Sequence, residues 1–221
     1  MGLKTRTSKG IYLGIAQGNI TQKADKDDPL AIAREYEDDN GNKKVVYEHQ
    51  FSELTGLLQE VKFRDGKFGE EWMIVIKDVD ETYILTIKTG DRYFQDFGKK
   101  VRNIDLSEEI TLSPFDFEGD NGNPVRGISI TQGGEKVMNF YYDAENKKDI
   151  NGFPSVTAKE RKEFDSDDWK MYFIKVKKFL KKEIQAIKFA KLATDPADSV
   201  KHDDIIKPAE GTEDEADDLP F

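Results

Sequence analysis

Between Lys43 and Thr89 apolar and polar residues alternate with a period of two, the mark of half-buried strands. In Val45-Tyr47-His49-Phe51 one face is apolar and aromatic, while Glu48 and Gln50 point away. Leu57, Val61 and Phe63 alternate with Glu60, Lys62 and Arg64, and Asp65-Gly66 followed by Lys67-Phe68-Gly69 predicts a hairpin tip. Trp72, Ile74 and Ile76 on one face, with Met73 and Val75 on the other, predict a central strand. After a turn over Asp78 to Glu81, Tyr83-Leu85-Ile87 completes a three-stranded meander.

On either side the pattern changes. Ile11 to Ala16 predicts a strand or an extended arm. Asp28-Pro29 predicts a short helix through about Tyr36, with Asp28 as N-cap and Pro29 in the first turn. Tyr93, Phe94 and Phe97 at helical spacing predict a helix over about Arg92 to Val101. Glu109 to Phe117 predicts the next strand. Val125 to Thr131 and Glu135 to Tyr142 predict a hairpin across Gly133-Gly134. Three strands, a helix and closing strands are the order of a five-stranded OB-fold-like barrel, whose helix lies between strands three and four. Asp143 to Asp165 reads as a polar connection. Ser166 is placed to cap a long helix over about Asp167 to Leu192, with an apolar stripe of Trp169, Phe173, Val176, Phe179/Leu180, Ile184 and Ile187. The expected organisation is therefore a mainly β chain with a C-terminal helix. A basic arm or strand (1–24) leads into a barrel (25–142). A connection and basic helix (143–192) then precede a flexible acidic tail (193–221).

Charge sharpens this picture. The 221 residues carry a net charge of −10, but unevenly. From Asp195 onward ten acids face only Lys201 and Lys207, a net of −8, which leaves residues 1–194 at −2. Eight lysines between Lys170 and Lys191 face Glu183 alone, a local +7. The body can thus hold local basic surfaces whatever the overall charge. A mean hydropathy of −0.71 and 35% charged residues exclude a membrane-spanning chain. The polar, basic N-terminus lacks the apolar run of a secretory signal, and there is no cysteine. A cytoplasmic setting is expected.

The chain ends in five carboxylates, Glu213, Asp214, Glu215, Asp217 and Asp218, and a compact apolar tip, Leu219-Pro220-Phe221. Such a segment buries too little to fold on itself, but it suits a partner pocket rimmed by Arg or Lys. Asp217-Asp218-Leu219-Pro220-Phe221 resembles the acidic tip of bacterial single-stranded DNA-binding proteins, which ends Asp-Asp-Ile-Pro-Phe. Phage single-stranded DNA-binding proteins likewise end in acids followed by Phe. The resemblance implies an OB-fold body that wraps and protects single-stranded DNA in replication, recombination or repair. It also implies a tail that recruits polymerase, helicase or nuclease partners (in the host cytoplasm if the protein is viral).

Non-specific single-strand binding needs a cationic groove for phosphates and flat rings on which bases stack. The candidates are Lys62, Arg64, Lys67, Phe68, Trp72, Tyr93, Lys99, Lys100, Arg102, Arg126, Tyr141 and Tyr142. In Tyr141-Tyr142 strand alternation sends one ring outward. The +7 helix either covers the body, contacts phosphates or holds the tail when no DNA is bound. No enzyme or cofactor is expected: His49 reads as a packed residue, and no Walker loop or zinc-ligand spacing occurs. Asp116-Glu118-Asp120 only faintly resembles a calcium loop, since Asn121 stands where glycine is required. The alternatives are an acidic interaction protein or DNA mimic that binds a nucleic-acid enzyme, and then a carboxylate-dependent nuclease.

Overall fold

In the computed structural model the alternating stretch forms β5 (Leu54–Gly66), β6 (Gly69–Asp78) and β7 (Glu81–Lys88), an antiparallel meander. The structure describes residues 10–37, 41–66, 69–120 and 122–189, all of which fall in one compact unit, Met1–Ala190. Trp72, Ile74 and Ile76 of β6 are fully buried, while Met73 and Val75 on its other face are half-buried. β6 is central, as its two apolar faces require.

Around this meander lie β1 (Ile11–Ala16), β2 (Asn19–Lys23), β3 (Ile32–Glu37), β4 (Lys43–Phe51), β8 (Glu109–Glu118), β9 (Pro124–Gln132) and β10 (Glu135–Lys136). The ten strands make one mixed sheet in the order β10-β9-β8-β5-β6-β7-β1-β2-β4-β3, in which only β1 and β7 run parallel. The sheet is open, and this overturns the five-stranded barrel. Closure needs the outer strands of the meander to find each other. Here the free edge of β7 is taken by β1, which brings β2, β4 and β3 with it, so the sheet extends instead of closing. Residues 11–16, expected as an arm or edge strand, are therefore interior. The β1–β2 turn still reaches the far strands. The Gly18 N–H donates to Tyr93 Oη at 3.1 Å, and a Cβ at Gly18 (φ +77°) would lie 2.7 Å from the Asp116 nitrogen. Only glycine tolerates that approach.

One face of the sheet carries the core. α1 (Arg92–Lys100), capped by Asp91, buries Tyr93, Phe94 and Phe97, and Phe94 packs edge-on against Trp72 at 3.8 Å. A 3-10 turn follows at Val101–Asn103. α2 (Ala158–Glu163) is a short helix within the expected connection. α3 (Ser166–Gln185) buries Val176, Leu180 and Ile184. It crosses α1 at Gly98, where a Cβ would sit 3.3 Å from Leu180 Cδ1. β11 (Tyr142–Asp143) and β12 (Lys148–Asp149) form a separate small ribbon.

Four local expectations are corrected. On β4 it is Glu48 that is buried, where Arg34 of β3 satisfies both of its oxygens, while Val45 and Phe51 of the expected apolar face are exposed. The helix expected over 29–36 is the strand β3, paired with β4 from Ile32↔Glu48 to Glu37↔Lys43. Asp28 does accept a backbone N–H, but from Leu30 in a turn. The strand expected over 135–142 stops after Lys136, and Tyr141 is held by an N–H bond to Asn139 Oδ1. The helix expected over 167–192 ends at Gln185, and its cap is Asp165, not Ser166. Asp165 accepts from Asp167 and Asp168, and Asp168 answers its backbone N–H, a complete capping box.

Candidate nucleic-acid interface

A groove runs where the outer side of α1, the ends of β8 and β9 and the first half of α3 meet. Arg92, Asp96 and Lys99 share a face of α1 because they are four and three residues apart. β9 contributes Val125 and Arg126, β8 contributes Phe115, and α3 contributes Phe173, Ile174 and Lys177. The larger lobe has a volume of about 760 Å³. The second lobe shares Arg92, Arg126 and Lys177 and adds Glu70 and Lys88. Gly127 sets the floor: a Cβ there would lie 2.4 Å from Asp96 Oδ2 and 2.7 Å from Phe115 Cζ.

The groove combines cations with aromatic surface. Arg126 is held by Asp116 on the neighbouring strand, at 2.7 Å from Nη2 and 2.9 Å from Nε to Oδ2, and its guanidinium lies over the Tyr93 ring at 5.7 Å. Lys177 Nζ stands 3.3 Å from Glu70 Oε2, and Lys181 bonds the other oxygen of the same carboxylate. These two lysines, Lys181 foremost, hold the Glu70 carboxyl below the usual range. Arg92 donates to the Pro124 carbonyl, and Lys99 Nζ lies 5.2 Å from the Phe153 ring centroid. Among the described residues neither Arg92 nor Lys99 has a carboxylate within 4.0 Å. Burial lowers the Lys99 pKa. Phe173 is 46% exposed, stacked on one side against Trp169 at 5.9 Å, and offers a ring to the groove.

The sequence candidates separate into groups. Lys99 and Arg126 line the groove. Lys62 and Arg64 point from the opposite face of β5, paired with Glu60 at 2.9 Å and Glu71 at 2.7 Å. Trp72, Tyr93 and Tyr141 are core residues rather than stacking platforms. Trp72 lies under Phe94, Tyr93 supports the groove wall from beneath Arg126, and Tyr141 packs among Phe140, Phe153 and Phe179. Lys100 is also buried, its ammonium bonded to Asp96 and to the Ile128 carbonyl, both at 2.7 Å. Arg102 is locked onto α3 through Glu183 at 2.8 Å. Tyr142 is 43% exposed, on β11, and Arg126 faces Asp116 and Tyr93 rather than the 140–142 segment. Lys67, Phe68 and the tail residues Asp217, Asp218, Leu219, Pro220 and Phe221 lie outside the described residues.

Sequence reasoning missed Arg92, Phe115 and Phe173, and offered Lys177 only as one of eight lysines of a helix that contacts phosphates in one of three readings. The seven-residue spacing of Arg92 and Lys99 was a signal for one helix face. Phe173 was hidden in an apolar stripe that gives no sign of where helix outruns core. Among the described residues no group of three His, Asp or Glu is placed to hold a metal ion, and no helix is long and apolar enough to cross a membrane. Compared with known proteins, the chain matches no family model, no curated protein and no solved structure.

Proposed function

We propose that the groove binds single-stranded nucleic acid without sequence preference, and that the acidic tail recruits replication, recombination or repair proteins. The observation that carries this reading is the meeting of Arg92, Lys99, Arg126 and Lys177 with the exposed Phe173 ring. Phosphates need the first set, and an unpaired base needs the second, since duplex DNA hides its base faces. The tail resemblance supports single-stranded DNA as the ligand and the cytoplasm, of a host if the protein is viral, as the setting.

Fluorescence anisotropy of a labelled oligothymidine, titrated with the full chain across a salt series, tests it. Tight binding is expected that weakens steeply with salt and is poorly competed by duplex. Absence of binding at low salt, with residues 213–221 present or removed, would leave an acidic interaction protein as the better reading.

A further inference from the structure

Of the groove cations, Arg92 and Lys99 have no carboxylate within 4.0 Å among the described residues, whereas Arg126 and Lys177 are already paired. Asp116 grips Arg126 at 2.7 and 2.9 Å from the neighbouring strand, outside the groove lining, and Glu70, which lines the second lobe, approaches Lys177 at 3.3 Å. We propose that Asp116 and Glu70 are internal counter-ions that partly neutralise two groove cations from behind in the free protein and compete with the strand's phosphates for them. The inference rests on the nucleic-acid reading and adds the residues that set its affinity.

The geometry distinguishes the two carboxylates from ordinary surface partners. Arg126 is 39% exposed and Lys177 38%, so each cation keeps a face turned to the groove, while Asp116 and Glu70 are only 16% and 17% exposed and sit behind them. A phosphate approaching from the open side meets the same cation from the front. It must then compete with the carboxylate for charge-assisted hydrogen bonds. Arg92 and Lys99 need no such exchange, so they give first contact, and a strand held there brings its next phosphates to the paired cations at high effective concentration. An isolated anion gains no such advantage. The exchange therefore favours a polymer over free phosphate.

The alternative role for each carboxylate is to position its cation, and it predicts the opposite sign. Asp116→Asn and Glu70→Gln are each made in the full chain and titrated against labelled oligothymidine at several salt concentrations, with thermal melting in parallel. Each is expected to tighten binding about three- to tenfold, the range for relieving one competing ion pair. The gain from Glu70→Gln should vanish in a background carrying both Lys177→Gln and Lys181→Gln, since Lys181 holds the other oxygen of Glu70, and that from Asp116→Asn in an Arg126→Gln background. If the wild type binds oligothymidine and either variant binds it equally or more weakly while remaining folded, the counter-ion role is overturned and the binding reading stands. If the wild type does not bind, the binding reading itself falls, and this inference with it.

Discussion

Phe173 is the side chain on which the proposed function is most directly tested. Its ring is 46% exposed and its removal leaves the Val176, Leu180 and Ile184 contacts of α3 intact, so Phe173→Ala should fold normally. Stacking of a base on an aromatic ring is worth about 1–3 kcal/mol, which converts to roughly 5- to 150-fold weaker oligothymidine binding with an unchanged melting temperature. Arg92→Ala should act differently, lowering the slope of log affinity against log salt by about 0.7, one phosphate contact to a single strand. Glu70 makes a separate prediction on stability. Its carboxyl is held below the ordinary glutamate range in the folded chain, chiefly by Lys181 and then by Lys177. The stabilisation is thus fully present above the unfolded value and is lost as pH falls through the folded one. Glu70→Gln should cost about 1 kcal/mol at neutral pH, and melting curves of wild type and variant should converge only in the acid range.

At the level of elements, what was legible followed from local pattern and what was not followed from distant pairing. The 57–87 meander and α1 are written in periods of two and 3.6 that the final burial obeys, from Trp72 and Ile74 to Phe94 and Phe97. Asp28-Pro29 is an authentic start signal, but the structure uses it for a turn. Six cross-strand pairs along β4 then fix 32–37 as strand, and none of them is visible within the segment. Barrel closure failed for the same reason, because the parallel pairing of β1 with β7 joins residues some seventy positions apart. Half the groove was missed because α3 supplies it only once α3 crosses α1 at Gly98. That crossing yields its own prediction: Leu180→Ala, at a fully buried contact, should destabilise by about 2–5 kcal/mol and weaken oligothymidine binding as Phe173 and Lys177 lose their place. Gly127→Ala perturbs the floor instead. With a Cβ 2.4 Å from Asp96 Oδ2 it should cost about 1–3 kcal/mol, read by thermal melting.

For the whole molecule the charge distribution is the decisive quantity. A net −8 from Asp195 onward follows a body of −2 whose groove gathers cations. A tether of this kind raises the local concentration of carboxylates near any cationic surface it reaches, without any tail-specific contact being required. Removing residues 213–221 should therefore tighten oligothymidine binding, most at low salt, with the advantage fading as salt screens both partners. Deleting Phe221 alone should leave DNA affinity unchanged, because it keeps all five carboxylates of the tip. If the resemblance to bacterial tips holds, that deletion should instead abolish capture of polymerase, helicase or nuclease partners. The two truncations thus separate the electrostatic role predicted for the tail from the recruiting role proposed for it. Equal DNA affinity for the full chain and for the chain lacking 213–221, at every salt concentration, would show that the tail does not compete for the groove.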